Sequence, residues 1–285
     1  MVEKRASPEH DTADAAGASA GTSDATDTGA DDTPPGAPDA TDTGAAIVAE
    51  GLTRHFGETV AVDDLDLRIP EGTVYGFLGP NGAGKTTTIE MLTTLLPPTA
   101  GRAWVAGVPV TDRDRVKGHI GYLPHESPVY ESFTAREQLA YAADIRRLDA
   151  DAADERIEAL LSRVGLLADA DDRIGTYSPG MRRKVGLAQA LLHEPDVAFL
   201  DEPTSGLDPR ASRAVIDLIT EQVATGTTVF LSSHILPVVE ELADTVGVLY
   251  RGRLVAEDAP DRLVDREGQG TLEDVFLEVT TDRPV

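Results

Sequence analysis

The chain has 285 residues, 41% of them hydrophobic, and no cysteine, which excludes disulfides, thiolate zinc sites and cysteine nucleophiles. Its 50 acidic residues outnumber 25 basic ones and give a net charge of −25, so nucleic acid is not expected as a partner. No stretch approaches the roughly 20 apolar residues of a membrane span, and we expect no signal peptide.

The acidic excess is spread along the whole chain. Residues 1–44 are mostly Asp, Thr, Ala, Gly, Ser and Pro, and they carry ten acidic and two basic residues. We predict a disordered acidic tail here, because the segment has little apolar surface to bury. We interpret the remaining excess, with only four lysines in the chain, as adaptation to a salty cytoplasm, as in halophilic archaea. An ordinary acidic bacterial protein is the alternative.

The elements that follow predict an α/β fold. Alternating apolar residues in AIVAEGLTRHFG and VAVDDLDLRI are typical of antiparallel strands, and GTVYGFLG is a compact apolar strand. In the second half, the strands DVAFLDEP, TTVFLSSH and TVGVLYRGRLV alternate with helices near residues 210–224 and 236–243, which indicates a mainly parallel sheet. Between the halves, TAREQLAYAADIRRL and residues 152–167 predict amphipathic helices, hence a helical insertion.

The segment GPNGAGKT at residues 79–86 matches the G-x-x-x-x-G-K-[ST] phosphate loop, between an apolar strand and a helix. Its glycines let backbone N–H groups surround phosphates, Lys85 reaches the β and γ oxygens, and the Thr86 hydroxyl coordinates Mg²⁺. We therefore predict that ATP is bound by Gly79, Pro80, Asn81, Gly82, Ala83, Gly84, Lys85, Thr86 and Thr87.

Two carboxylates end the apolar strand VAFLDEP. Asp201 at the strand tip is predicted to hold Mg²⁺, and Glu202 to orient or deprotonate the water that attacks the γ-phosphate. An Asp-Glu pair alone is weak evidence, but together with a phosphate loop it indicates nucleotide hydrolysis.

Six segments in this order resemble the ATP-binding subunit of ATP-binding cassette (ABC) transporters over about residues 46–280. They are the phosphate loop, GYLPHE, YSPGM, VAFLDEP, SGLD and LSSH. The resemblance implies a P-loop NTPase of ABC type, with ATP and Mg²⁺ as cofactors and a nucleotide-binding domain at residues 45–265. A helical subdomain would cover about residues 126–180, and a C-terminal segment with a short helix residues 266–285.

The same resemblance implies partners. The GMRRKVGLAQALLHEPDVAFLDEPTSGLDP block and the closing GTLEDVFLEVT are similar to the subgroup that powers drug and antibiotic exporters. The chain would then dimerise, as an expected homodimer, and act on separately encoded membrane permease subunits at the cytoplasmic face of the membrane. A soluble ABC ATPase of DNA repair or of the ribosome is the alternative.

Individual residues gain roles from the resemblance. Ser178 and Gly180 would contact the γ-phosphate held by the opposite subunit, and Asp208 would lie at the dimer seam. His234 would hydrogen-bond the γ-phosphate beside the catalytic Glu202 and Lys85. Phe56 would stack on adenine, although a phenylalanine there could equally be core.

Two positions depart from the family pattern. His125 stands where the family has a metal-binding glutamine, and Pro179 where it usually has glycine. A neutral histidine offers a ring nitrogen to the metal, whereas a protonated one repels Mg²⁺.

Hydrolysis is therefore expected to fall more steeply in acid than in a His125→Gln variant. The measurement is the pH profile of ATPase activity for both proteins, and superimposable profiles would contradict this interpretation of His125.

Overall fold

The structure is a computed structural model that describes residues 44–267 and 270–280. The predicted disordered tail, apart from Gly44, lies outside the described residues, as do residues 268–269 and 281–285 of the proposed C-terminal segment. The domain boundaries given above remain predictions.

The described part of the chain forms ten strands and nine helices. The strands are β1 (Ala45–Phe56), β2 (Thr59–Pro70), β3 (Val74–Leu78), β4 (Ala100–Val105), β5 (Val108–Pro109), β6 (Ile120–Leu123), β7 (Val197–Asp201), β8 (Thr228–Ser232), β9 (Thr245–Tyr250) and β10 (Arg253–Asp258). The helices are α1 (Lys85–Leu92), α2 (Arg113–His119), α3 (Ala135–Arg146), α4 (Ala150–Arg163), α5 (Pro179–Leu191), α6 (Pro209–Ala224), α7 (Leu236–Leu242), α8 (Pro260–Glu267) and α9 (Leu272–Thr280).

The first strands form an antiparallel sheet, in the order β2-β1-β4-β5. Apolar residues alternate along β2, where Leu65, Leu67 and Ile69 are buried and the residues between them are exposed. This alternation puts one face of β2 on the core and the other in water. The predicted antiparallel part is confirmed, and the sequence did not reveal that β4 and β5 extend it.

A second sheet has the order β10-β9-β3-β8-β7-β6. Strands β9, β3, β8, β7 and β6 are parallel to one another, and only the edge strand β10 is antiparallel to its neighbour among these described strands. Every residue of β3, β7 and β8 is buried, as a sheet covered on both faces requires. The predicted α/β class with a mainly parallel core is therefore confirmed. The stretch TVGVLYRGRLV forms two antiparallel strands instead of one, because Arg251 and Gly252 both adopt positive φ in a tight hairpin turn.

Helices α3, α4 and α5 lie between β6 and β7, which are adjacent in the sheet although the chain between them is long. Helix α3 begins with a capping box, in which Thr134 accepts from the backbone of Glu137 and Glu137 accepts from the backbone of Thr134. Helix α4 is capped by Asp149, starts two residues before the predicted helix, and is followed by Gly165 at φ 65°.

Aromatic side chains between the sheets fix the strands that carry the site. Tyr75, Phe77, Phe199 and Phe230 are at most 1% exposed, and the ring centroids of Phe77 and Phe230 lie 5.0 Å apart. Each such burial contributes roughly 1.5–3 kcal/mol. The carboxyl ends of β3, β6, β7 and β8 consequently meet at one edge, where ligands bind in open parallel sheets.

Within residues 44–267 and 270–280, no helix is both long enough and apolar enough to cross a bilayer.

His193, which follows α5, predicts a specific acid sensitivity. Burial, followed by the charge of Arg146, lowers the pKa of His193 from 6.5 to about 4, and its Nε2 lies 3.0 Å from the Ile120 carbonyl oxygen. Between these two values the unfolded chain binds a proton that the folded chain does not, so falling pH favours unfolding.

We therefore expect His193→Gln, which keeps a donor to the carbonyl but does not titrate, to lose less stability in acid than the parent. The difference between pH 7 and pH 5 should be on the order of 1 kcal/mol in the free energy of unfolding. Urea denaturation at both pH values measures it, and equal losses in parent and variant would refute the assignment.

Candidate nucleotide site

The phosphate loop, residues 79–84, joins the buried strand β3 to α1. Gly84 closes the loop at φ 111°, where an added Cβ would lie 2.4 Å from the Ala61 carbonyl oxygen, so only glycine fits. Lys85 is 9% exposed, and its ammonium donates to the carbonyls of Gly79 at 2.6 Å and Pro80 at 3.3 Å. The lysine is thus folded over its own loop, with its charge at the loop surface.

Helix α1 begins without a side-chain cap and without an acidic residue in its first turn. Its first N–H groups have no intrahelical acceptor, and the positive end of the helix dipole adds to them. The loop and the start of α1 together therefore fit a phosphate chain.

Asp201 at the end of β7 connects three elements. The β7–β8 register pairs Asp201 with Ser232, whose hydroxyl donates to Oδ1, while Thr86 on α1 donates from Oγ1 to Oδ2 at 3.2 Å. Asp201 is 2% exposed, so its carboxylate is held in one orientation. A hydroxyl and a carboxylate at this distance are hard oxygen ligands that fit Mg²⁺.

The described residues contain no group of three or more His, Cys, Asp or Glu side chains able to hold a metal. At phosphate sites Mg²⁺ is usually held by one or two protein oxygens, with phosphate oxygens and water completing its shell.

Glu202 follows β7 in a left-handed conformation at φ 57°, which is uncommon for residues other than glycine and often found at functional sites. Its Oε2 lies 2.8 Å from Nδ1 of His234 and also accepts from the His234 backbone N–H at 3.4 Å. Glu202 is buried, whereas 62% of the His234 side chain is exposed. The carboxylate is thus fixed by a histidine that itself faces solvent.

Burial lowers the pKa of Lys85, and the carboxylates of Glu202 and Asp201 oppose that shift. The two acids therefore favour the charged form of the lysine, which is the form that binds phosphate.

A cavity of about 400 Å³ opens over these groups. Of the residues predicted from sequence, it brings together Gly79, Pro80, Asn81, Lys85, Thr86, His125, Asp201, Glu202 and His234. Gly82, Ala83, Gly84 and Thr87 belong to the same loop and helix but do not line the cavity.

Four further predicted residues, Phe56, Ser178, Gly180 and Asp208, lie outside both the phosphate loop and the cavity. Phe56 is 48% exposed at the end of β1, with the Arg54 guanidinium 4.7 Å from its ring centroid. It is therefore not a core residue.

The other three residues form a second surface. Ser178 caps α5 by accepting from Met181 N at 3.2 Å, and Asp208 caps α6 by accepting from the N–H groups of Arg210 and Ala211. The hydrogen bond from Ala211 is the main cause that lowers the pKa of Asp208. A Cβ at Gly180 would lie 3.0 Å from Leu207, so the starts of the two helices pack together, away from the cavity.

Several residues at the site were not identified from sequence. Leu78, Ser233, Leu236 and Phe276 line the cavity, and Arg183 and Ser232 hydrogen-bond Asp201. Arg183 is buried on the same face of α5 as Leu187 and Leu191, so helical periodicity could have flagged a charged residue at a core position. Phe276 reaches the cavity from α9, and no local signal in the sequence predicts that contact.

Comparison with known proteins places these features in a family. A family model described as ABC transporter matches residues 62–205. The daunorubicin/doxorubicin resistance ATP-binding protein DrrA of Streptomyces peucetius is 43% identical, over 80% of this chain and 69% of its own. The daunorubicin resistance ATP-binding protein DrrA3 of Streptomyces coeruleorubidus is 41% identical, over 82% of this chain and 74% of its own.

A solved structure of an ATP-binding subunit of an ABC transporter has the same fold. It superimposes with a TM-score of 0.78 at 29% identity and covers 83% of this chain and all of that one. The phosphate loop, the carboxylates at the end of β7 and these similarities agree, and ATP hydrolysis is implied by the family. The chain belongs to the ABC transporter family as an ATP-binding subunit, with relatives among the drug resistance proteins.

Proposed function

We propose that the chain binds and hydrolyses ATP, dimerises with a second ATPase subunit around the nucleotides, and powers a separately encoded membrane permease that exports its substrate. The observation that carries the proposal is the contact of Asp201 with Thr86 beside the Glu202–His234 pair, at the mouth of the phosphate loop. The protein would lie at the cytoplasmic face of the membrane, held there by the permease.

Within one subunit, the loop N–H groups and Lys85 bind the phosphates. Thr86 and Asp201 would hold Mg²⁺, with His125 lining the same cavity, and the ion would neutralise charge on the phosphate oxygens. Glu202 orients the attacking water and accepts its proton. His234, through the 2.8 Å contact, keeps the Glu202 carboxylate in place and has an exposed ring edge for the γ-phosphate.

The second half of the site would come from the partner subunit. Ser178, Gly180 and Asp208 lie on a surface that the cavity does not include, and a helix start capped by serine binds anions. Such a surface completes an ATP site only if another copy presents it. Phe56 is exposed, as a residue that stacks on adenine would need to be.

Pro179 should have little effect on this half-site. It occupies the first position of α5, where an N–H has no intrahelical acceptor anyway. We expect Pro179→Gly to change the ATPase rate by no more than about threefold, whereas Ser178→Arg should abolish ATP-dependent dimerisation. ATPase assays and light scattering with ATP measure both, and a parent that is inactive until Pro179 becomes glycine would contradict the expectation.

A groove of about 250 Å³ beside the helical region suits the permease. It contains the exposed side chains of Leu95 and Ile145, which are 51% and 63% exposed, together with Lys117 and Tyr122. Burial, with Asp201 and Glu90 nearby, raises the pKa of Tyr122 to about 12, so its hydroxyl stays neutral. A groove that combines exposed aliphatic side chains with the basic side chains of Lys117 and Arg146 fits an amphipathic segment of a membrane protein.

Export as the direction rests on the relatives. Two of them carry names that describe resistance to daunorubicin, a property that export of the drug would explain. The cargo itself would be selected by the permease, because function is determined by sites and not by the fold.

The deciding experiment is affinity purification of Glu202→Gln with ATP from membranes of the source cells. Loss of the catalytic carboxylate should trap the ATP-bound dimer, so the variant should elute as a dimer with an integral membrane protein of several apolar spans. Co-purification of ribosomes without a membrane protein would instead support the soluble alternative.

A matched second variant separates the two partners. Glu202→Gln combined with Ile145→Asp should still dimerise in ATP but lose the membrane protein, because a carboxylate would replace the most exposed aliphatic side chain of the groove. A Glu202→Gln protein that stays monomeric in ATP and retains no membrane protein would contradict the proposed function.

A further inference from the structure

Arg183 is a buried arginine in the second turn of α5 to which the proposed function gives no role. It is 5% exposed, and its guanidinium donates to three backbone carbonyls. Nη1 donates to Pro124 and, at 2.9 Å, to His125, while Nη2 donates to Asp201. A single side chain thus contacts the segment after β6 and the end of β7.

These carbonyls belong to the residues that carry the site. His125 lines the cavity, and Asp201 immediately precedes Glu202. Strands β6 and β7 are paired only as far as Leu123 and Leu200, so no backbone pairing of these two strands holds the segments beyond them together. The guanidinium supplies hydrogen bonds at the point where the pairing of β6 with β7 stops.

The chemistry of arginine explains why this residue type is needed. The planar guanidinium group of arginine has five N–H donors and can hydrogen-bond carbonyls in two directions. The ammonium group of lysine is a point charge with three N–H donors. Burial lowers the pKa of Arg183 to about 10, and the carboxylates of Asp201 and Glu202 oppose that shift. A charged group is therefore kept in the interior against a desolvation cost, which a purely apolar contact would avoid.

Arg183 also lies on the helix that begins with Ser178. Arg183 is five positions after Ser178, so the two residues lie about 7–8 Å apart along the helix axis. Gly121 of β6 lets α5 pack closely, since a Cβ there would be 2.0 Å from the Ala190 carbonyl oxygen. A displacement of α5 must therefore move the carbonyls that Arg183 holds.

We infer that Arg183 is a positioning residue: it fixes the His125 segment against the Asp201–Glu202 turn and transmits the position of α5 to the water-activating carboxylate. The inference rests on the proposed function, in which the start of α5 engages the nucleotide of the partner subunit. Arg183 does not line the cavity, so it would act through Glu202.

The test compares Arg183→Gln and Arg183→Lys with Arg156→Gln. Arg156 is a matched control: it is partly buried and its Nη2 donates to the carbonyl of Leu191, at the other end of α5, and to Gln222. For Arg183→Gln we expect kcat to fall about 100-fold, as displaced catalytic groups do, with KM for MgATP within about threefold of the parent. Arg183→Lys should recover part of kcat, and Arg156→Gln should retain all of it.

Thermal unfolding distinguishes positioning from folding. Arg183→Gln removes a buried charge and is expected to lose more in Tm than Arg156→Gln does, so kcat is compared at a temperature at which thermal unfolding shows every variant to be fully folded. The inference is overturned if kcat of Arg183→Gln stays near the parent value. It is also overturned if kcat of Arg156→Gln falls as far as kcat of Arg183→Gln.

Crystal structures test this inference independently of the proposed function. A parent chain without ATPase activity would refute the proposed function, yet crystal structures of the parent and Arg183→Gln with MgADP would still test the positioning. We expect the His125 and Asp201 carbonyls to move apart by more than 1 Å in the variant, and unchanged positions would overturn the inference in either case.

Discussion

The pairing of β7 with β8 places Asp201 opposite Ser232, and the chemistry of the site depends on this register. Both strands are wholly buried, so a slip of one residue would turn every side chain to the other sheet face and is strongly disfavoured. The Ser232 hydroxyl then orients one oxygen of Asp201 and leaves the other for Thr86. Glu202 and His234, one and two residues beyond these strand ends, meet because the strands end together.

Charge compensation is the second constraint on the site. Asp201 and Glu202 are buried acids close to Lys85 and Arg183, and burial lowers the pKa of both basic groups while the acids oppose it. Removing one member of such a set leaves a buried charge unpaired, which costs far more than the intact set contributes. A polyanionic nucleotide entering beside two carboxylates would require added positive charge, which a magnesium ion would supply next to the phosphate loop.

The cavity and the outer surfaces of the protein have separate tasks. In the proposed function, the groups in the cavity act only on phosphate and water, so the reaction would be independent of any cargo. The start of α5 and the groove near Ile145 lie outside the cavity and are the surfaces proposed for the partner subunit and the permease. The hydrogen bonds from Arg183 of α5 to the carbonyls of His125 and Asp201 give a physical route by which assembly would control hydrolysis.

The sequence by itself determined the parallel α/β core, the phosphate loop and the two carboxylates. These features are local in the sequence. Strands buried on both faces appear as apolar runs, and the glycines, lysine and threonine of the loop lie within one short segment. The helix starts at Ser178 and at Asp208 were equally local, because a cap satisfies N–H groups two or three residues away.

Only the tertiary structure decided which of these residues share a cavity. It separated Ser178, Gly180 and Asp208 from the phosphate loop, brought Phe276 of α9 to the cavity, and placed Arg183 on carbonyls up to 59 residues away in sequence. A backbone carbonyl is the same chemical group at every residue, so no sequence pattern marks the acceptor of a buried arginine. That choice is made by the packing of α5 on β6 and β7.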